Sequence, residues 1–171
     1  NLNSKKYGKP ENNCIEAIEV LKKFFFLRKV SKLYTTEPIP KSDQPWFVNG
    51  VLEISTSINP IDILEQLHQI ENSFGRYRKR KNEPRIIDLD LLCYHKLISK
   101  KISLKLPHPR LHKRRFVIQP ICDIRPSWIH PVVKLTAKTL LKKTNSQKIF
   151  LKKNLKKLFN YFINNHGSCN N

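Results

Sequence analysis

Acidic residues are scarce in this chain: 13 Asp and Glu stand against 33 Lys and Arg, leaving a formal net charge of +20 over 171 residues. Such an imbalance calls for an anionic partner or reflects a coding bias. The lysines are spread along the chain beside asparagine and isoleucine rather than gathered in one stripe. That spread reads as drift in residue usage, since a basic face is only the electrostatic footprint of nucleic-acid binding. Methionine is absent and the chain opens at Asn1-Leu2-Asn3-Ser4, so the natural start is expected to lie upstream. No apolar run approaches the roughly 18 to 20 residues that span a bilayer. The densest cluster, Phe24-Phe25-Phe26-Leu27, is bracketed by Lys22, Lys23, Arg28 and Lys29. The first ten residues are polar and lack a secretory signal, so a cytoplasmic place with no membrane partner is expected. The four cysteines, Cys14, Cys93, Cys122 and Cys169, form no C-x-x-C pair. Zinc and dithiol chemistry are therefore not indicated, and reduced, mostly buried thiols are expected.

What is present suits one domain with a real core, since 39% of the residues are hydrophobic. Pro10 suits the first turn of a helix running to about Phe26, with Cys14, Ala17, Ile18, Leu21, Phe24 and Phe25 on one face. Val30 to Thr35 reads as a strand, and Phe47 to Thr56 as another. Between them Pro38, Pro40 and Pro45 forbid regular structure. A second helix is capped by Asn59, begins at Pro60 and ends at Gly75, with Ile63, Leu64, Leu67, Ile70 and Phe74 as its stripe. A basic loop from Arg76 to Lys81 leads to a strand from Ile86 to Tyr94. Leu106 to Phe116 reads as a loop entering a short helix, and Pro120, Pro126 and Pro131 punctuate an irregular C-terminal portion. From Asn145 the lysine-rich segment suits a basic amphipathic helix or a loosely held tail. The element order is α+β.

Asp88 and Asp90 lie within Ile86-Ile87-Asp88-Leu89-Asp90-Leu91-Leu92. Alternation along a strand puts both carboxylates on one face, about 7 Å apart at the backbone, and Ile87, Leu89 and Leu91 on the other. Paired hard oxygen ligands suit Mg²⁺, which keeps its waters and also binds substrate phosphates. The plain alternative is a solvated sheet face. Arg76, Arg78, Arg80 and Arg85 precede the acids within a dozen residues. Guanidinium forks match phosphate oxygens, so acids and arginines together are the parts that phosphoryl transfer needs.

Three blocks carry a resemblance. Phe74-Gly75-Arg76-Tyr77-Arg78 with Pro84-Arg85-Ile86-Ile87-Asp88-Leu89-Asp90 resembles the central motif of the 6-hydroxymethyl-7,8-dihydropterin pyrophosphokinases, G-R-x-R and then P-R-x-[IL]-D-L-D. Leu106-Pro107-His108-Pro109-Arg110-Leu111 through Phe116 is similar to that family's L-P-H-P-R-L-x-x-R-x-F. Tyr34-Thr35-Thr36-Glu37-Pro38 with Gln44-Pro45-Trp46-Phe47-Val48-Asn49 is similar to its Y-x-T-x-P and Q-P-x-[FY]-x-N. Departures are Lys81, where arginine is usual, and Glu83, where a small residue is usual.

The resemblance implies a ferredoxin-like β-α-β-β-α-β core whose first strand lies before Asn1, since Asn1-Leu2 matches the end of a G-S-N-L turn. It implies transfer of diphosphate from Mg·ATP to the pterin hydroxymethyl group, with AMP leaving, in folate biosynthesis. Asp88 and Asp90 would hold two magnesium ions. Arg76 and Arg85 would assist transfer from a mobile loop. Thr36, Phe47, Asn49 and Phe116 would form the pterin slot. His68, Glu71, Arg78, Arg85, Leu91, His108 and Arg114 would bind ATP. From the residues alone, Phe47 and Phe116 could be core, Asn49 a backbone tie, His108 a loop residue and Glu71 an exposed helix acid. The expected division is a catalytic domain over 1–144 and a basic tail over 145–171. The expected partners are ATP and a reduced pterin, not nucleic acid, for a monomer in which fusion to other folate enzymes is left open. A basic nucleic-acid-binding protein of the same α+β shape is the competing class; its binding would weaken steeply with salt and would not need Asp88 or Asp90.

Overall fold

The computed structural model describes residues 2–38, 45–75, 85–144 and 147–152. Its elements run α1 (Pro10–Leu21), β1 (Phe26–Val30), β2 (Tyr34–Thr36), β3 (Phe47–Asn49), β4 (Leu52–Ser55) and α2 (Pro60–Ser73). Then come β5 (Ser99–Lys101), β6 (Leu104–Leu106), a 3₁₀ turn (Leu111–Lys113), α3 (Arg115–Ile124), α4 (Ala137–Lys143) and β7 (Ile149–Leu151). Every ladder is antiparallel: β1 with β4, β2 with both β3 and β7, and β5 with β6. The class is α+β.

α1 starts at Pro10 as the sequence predicts, and buries Cys14, Ala17, Ile18 and Leu21. It stops at Leu21 rather than near Phe26. The Phe24 and Phe25 N–H groups both turn back onto the Leu21 carbonyl, at 3.1 and 2.9 Å. This tight end folds Phe25 into the core and leaves Phe24 and Phe26 exposed. A continued helix could not place Phe25 there while starting β1 at Phe26.

Two predicted strands are each broken in two. Val30–Thr35 is interrupted at Ser31–Leu33, and Phe47–Thr56 at Gly50–Val51. The breaks face each other, so β1–β4 and β2–β3 form one hairpin with a bend. Buried Ser31 makes the bend: its N–H donates to the Val51 carbonyl at 2.9 Å, and its hydroxyl accepts the Val51 N–H at 2.8 Å. Gly50 permits the close approach, because a Cβ there would stand 2.5 Å from Leu33 Cδ2. Periodicity alone does not register such a bend.

α2 forms as expected. The Asn59 side-chain oxygen accepts from the Ile61 and Asp62 N–H groups at 3.0 and 3.1 Å, and Pro60 is the first helical residue. Ile63, Leu67, Ile70 and Phe74 are buried, Leu64 is half-buried, and Gly75 closes the helix at φ +89°. The buried faces of α1 and α2 meet Phe25, Leu33, Val48 and Ile87 in one core.

The stretch Ile86–Tyr94, predicted as a strand, joins no ladder among the described residues. A strand exists only through its neighbours' backbone, and no described strand runs beside this one. Its backbone bonds are scattered instead: Leu2 N–H to the Arg85 carbonyl at 2.9 Å, and His108 N–H to the Leu92 carbonyl at 2.8 Å. The predicted alternation nevertheless holds. Ile87 is buried and Leu89 and Leu91 pack against the core, while Asp88 and Asp90 are exposed.

The C-terminal portion is more regular than its prolines suggest. Pro120 lies inside α3, where it removes one helix hydrogen bond. The apolar face of Val117, Ile118 and Ile121 offsets that loss by packing on Leu111, Ala137 and Leu140 in a second core. α4 is capped by Thr136, whose hydroxyl accepts the Thr139 N–H at 3.1 Å. Within the segment predicted as a helix or tail, Ile149–Leu151 is strand β7, with Tyr34 opposite Leu151 and Thr36 opposite Ile149. Lys152 N–H donates to the Leu33 carbonyl at 3.0 Å, and Phe150 stacks on Trp46 at 5.6 Å. Among the described cysteines Cys14 is buried, and Cys93 and Cys122 are half-buried, all unpaired with one another. Burial pushes the Cys14 thiol up to about 12 and Cys93 up to about 11. No helix among the described residues is long and apolar enough to cross a membrane.

Candidate active site

Asp88 and Asp90 owe their place to the hydrophobic residues that alternate with them. Ile87, Leu89 and Leu91 are drawn into the core, and a chain extended through those three points must turn the intervening carboxylates outward. The segment is pinned in two places. Glu71, 1% exposed on α2, accepts the Leu89 N–H at 2.7 Å, at the residue lying between the acids. One turn before it on α2 stands half-buried His68. The second pin is the bond from His108 N–H to the Leu92 carbonyl, which brings the Pro107–Arg114 segment alongside. Leu106–Pro107 is a cis peptide at the start of that segment.

The result is a patch of mixed charge. Arg85 Nη1 donates to Asp88 Oδ1 at 2.7 Å. Burial lowers the His108 pKa, opposed by Asp90 and Asp88 and reinforced by the charges of Arg114 and Arg110. Arg114 is lowered by burial first, then by Arg110, while Asp90 and Asp88 raise it. These mutual influences place Asp88, Asp90, His108, Arg110 and Arg114 in one neighbourhood. His108 Nδ1 accepts the Arg110 N–H at 3.3 Å. The proton of neutral His108 therefore sits on Nε2, available as a donor.

Arg114 connects this patch to α3, because its guanidinium lies 5.4 Å from the centre of the Phe116 ring. Across the bent hairpin, Asn49 Nδ2 donates to Thr36 Oγ1 at 2.7 Å. Thr36 is buried and stands opposite half-buried Phe47, so the three predicted pterin contacts on β2 and β3 share one face. The other face, through Thr35, Trp46 and Val48, lines a cavity of about 660 Å³ with Pro10 and Lys152. That cavity is separate from the Thr36–Asn49 pair. Leu91 is half-buried against the first core. Arg76 and Arg78 lie outside the described residues.

With this geometry in view, comparison with known proteins decides the family. The model of the 7,8-dihydro-6-hydroxymethylpterin-pyrophosphokinase (HPPK) family matches residues 3–126. The chain belongs to this family. It is similar to the folic acid synthesis protein FOL1 of Dictyostelium discoideum, 36% identical over 129 residues, which are 75% of this chain and 20% of that protein. Against the 2-amino-4-hydroxy-6-hydroxymethyldihydropteridine pyrophosphokinase of Bacillus subtilis it is 43% identical over 96 residues, 56% of this chain and 58% of the relative. Against the protein of the same name from Aquifex aeolicus it is 36% identical over 118 residues, 69% of this chain and 74% of the relative. The chain thus spans about a fifth of the length of the FOL1-type relatives it matches.

Three residues to which the sequence assigns no role make contacts near the candidate residues. Arg110 is a motif residue for which the resemblance implies no role, although its charge bears on both His108 and Arg114. Tyr34 and Asp123 join across the fold, the Tyr34 hydroxyl lying 3.0 and 2.9 Å from the two carboxylate oxygens. The signal for Asp123 in the sequence is a lone acid two turns beyond Phe116 in a largely apolar helix.

Proposed function

We propose that this chain transfers diphosphate from Mg·ATP to 6-hydroxymethyl-7,8-dihydropterin and releases AMP, the step in folate biosynthesis that the family's name describes. The observation that carries the reading is the outward pair Asp88 and Asp90, beside His108, Arg110 and Arg114, on a segment whose alternate residues are buried (Ile87) or packed half-buried against the core (Leu89, Leu91). Magnesium fits this set. Two exposed carboxylates suffice for an ion that retains waters and takes further oxygens from phosphates. When bound, the ion would neutralise charge on the phosphate oxygens.

The chain's own residues divide the remaining work. Asp88 and Asp90 would hold the two magnesium ions, which would neutralise charge on the transferred phosphates. Arg85, Arg114 and His108 Nε2–H would donate to phosphate oxygens, strengthening as charge gathers there. Arg76 and Arg78, in the segment outside the described residues, would add guanidinium groups over the same phosphates. His68, Glu71 and Leu91 complete the proposed nucleotide set, Glu71 also by fixing the backbone between the acids. Thr36 and Asn49 would read the edge of the pterin, and Phe47 and Phe116 would cover its faces. The hydroxymethyl oxygen would attack the β-phosphorus, the bond from that phosphorus to the α–β bridging oxygen would break, and the hydroxyl proton would be released. The finer fold proposed is the ferredoxin-like β-α-β-β-α-β unit, supported by the order α1, bent hairpin, α2 and extended acidic segment. We place the catalytic domain in residues 1–144, with the 145–171 segment contributing β7 to it, and propose a cytoplasmic monomer.

Titration with a non-hydrolysable ATP analogue tests the acids. Affinity in the presence of magnesium should fall about tenfold or more in Asp88→Asn and in Asp90→Asn, with little change when magnesium is withheld. Unchanged magnesium dependence in both variants would remove the basis of the reading.

A further inference from the structure

Tyr34 takes no part in the chemistry just described, yet its hydroxyl makes a two-oxygen contact with the Asp123 carboxylate, at 3.0 and 2.9 Å. Tyr34 is 7% exposed. Its pKa is raised by burial first and then by the Asp123 hydrogen bond, so the hydroxyl remains a donor at any working pH. Gln119 Nε2 donates to the same carboxylate at 3.2 Å.

The two ends of this bond lie on the two halves of the pterin slot. On β2, Tyr34 and Thr36 share a face, and Tyr34 stands opposite Asn49 in the ladder. On α3, Asp123 follows Phe116 by seven residues, which is about two turns and returns to the same stripe of the helix. One bond thus joins the strand that carries the Thr36–Asn49 pair to the helix that carries Phe116. Other ties of α3 reach other elements, and beside Phe116 the Arg115 N–H donates to Gln147 Oε1 at 2.7 Å. Arg125 pairs with Glu53 at 2.5 Å, and Lys29 Nζ donates to the Ile124 carbonyl at 3.0 Å, both toward β1 and β4.

We propose that the Tyr34–Asp123 hydrogen bond sets the separation between Phe116 and the Thr36–Asn49 pair, making Tyr34 and Asp123 positioning residues for the flat heterocycle. Neither touches the ring; they act through α3 and β2. The inference rests on reading Thr36, Asn49 and Phe116 as the ring's contacts. Because misplacement by even about 1 Å weakens a fitted site strongly, loss of the tie should act on the pterin more than on the nucleotide, whose proposed contacts lie on other segments except for Arg114 at the head of α3.

The experiment uses the full chain and four variants, Tyr34→Phe, Asp123→Ala, Asp123→Asn and Asn49→Ala. Affinity for the ATP analogue with magnesium is measured first, and for 6-hydroxymethyl-7,8-dihydropterin on the analogue complex second. Tyr34→Phe and Asp123→Ala should weaken the pterin about tenfold while the analogue changes by less than about twofold. Asp123→Asn, which keeps an acceptor oxygen, should recover most of the pterin affinity. If Asn49→Ala weakens the pterin and Tyr34→Phe does not, the positioning role is overturned and the site reading stands. If Asn49→Ala binds the pterin as the parent does, the site reading itself falls and the inference with it. Parallel loss for both ligands, with lowered stability and no recovery in Asp123→Asn, would mark a merely structural contact. Should Tyr34→Phe not fold, the Asp123→Ala and Asp123→Asn pair decides by the same criteria.

Discussion

Replacing Glu71 by leucine and, separately, by glutamine isolates the bond that holds the acidic segment. Both substitutions remove the same buried carboxyl group from α2, so the cost of keeping that group out of water cancels in the comparison. They differ in the acceptor that faces the Leu89 N–H, now 2.7 Å from Glu71 Oε1. Glutamine retains an oxygen there, and leucine leaves the N–H without it. A neutral hydrogen bond is worth about 1 kcal/mol net, and an orphaned, partly buried N–H costs about 1 to 3 kcal/mol. Leu89 is half-buried, so the lower part of that range applies. The leucine variant should therefore be less stable than the glutamine variant by about 1.5 kcal/mol, roughly tenfold in the folding constant. Urea denaturation followed by far-ultraviolet circular dichroism reads this difference through the midpoints. Because Leu89 separates Asp88 from Asp90, magnesium-dependent nucleotide affinity should fall further in the leucine variant than in the glutamine one. A leucine variant as stable as its glutamine counterpart, with equal nucleotide affinity, would refute the claim that Glu71 pins the acids.

Two further outcomes are expected. Leu111, 0% exposed in the second core, lies between His108 and Arg114; Leu111→Ala should cost about 3 kcal/mol, from three lost carbons at about 0.8 each plus a cavity, and a urea-derived loss under about 1 kcal/mol would contradict that packing. His130 Nδ1 accepts the Val132 and Val133 N–H groups at 3.1 and 3.3 Å, and its ring meets His112 edge-on at 5.2 Å. Burial, then the His112 charge, lowers the His130 pKa below the ordinary 6.5, so its stabilising effect is complete above that value and is lost as pH falls. His130→Asn keeps an acceptor at the Nδ1 place without titrating there; between about pH 5 and 8 its acid loss of stability should be shallower than the parent's, and superimposable profiles would contradict it.

The parts of the fold that were legible in the sequence are those governed by local chemistry. Asn59, Pro60 and Gly75 specify the ends of α2 wherever that helix packs, because caps act within a few residues. Alternation around Asp88 and Asp90 survived although the predicted ladder did not form, since burial of Ile87, Leu89 and Leu91 needs only an extended backbone and a core. Long-range choices were not legible. Nothing near Ser31 reveals that its hydroxyl will take the Val51 N–H from the opposite strand. Ile149, Phe150 and Leu151 sit among lysines that suit a tail, and they become a strand only because β2 offers a free edge more than a hundred residues earlier. Within the candidate site the same division holds. Motif positions single out the acids, His108 and Arg114 as candidates, whereas the Tyr34–Asp123 tie depends on how α3 lies against β2.

Product analysis tests the central claim most directly. Incubated with ATP, magnesium and 6-hydroxymethyl-7,8-dihydropterin, the full chain should release AMP and pterin diphosphate in equal amounts, and chromatography of the quenched mixture separates both. Omission of any one of the three, or Asp90→Ala, should abolish AMP. Release of ADP in place of AMP, or AMP formed equally well without the pterin or by Asp90→Ala, would contradict it.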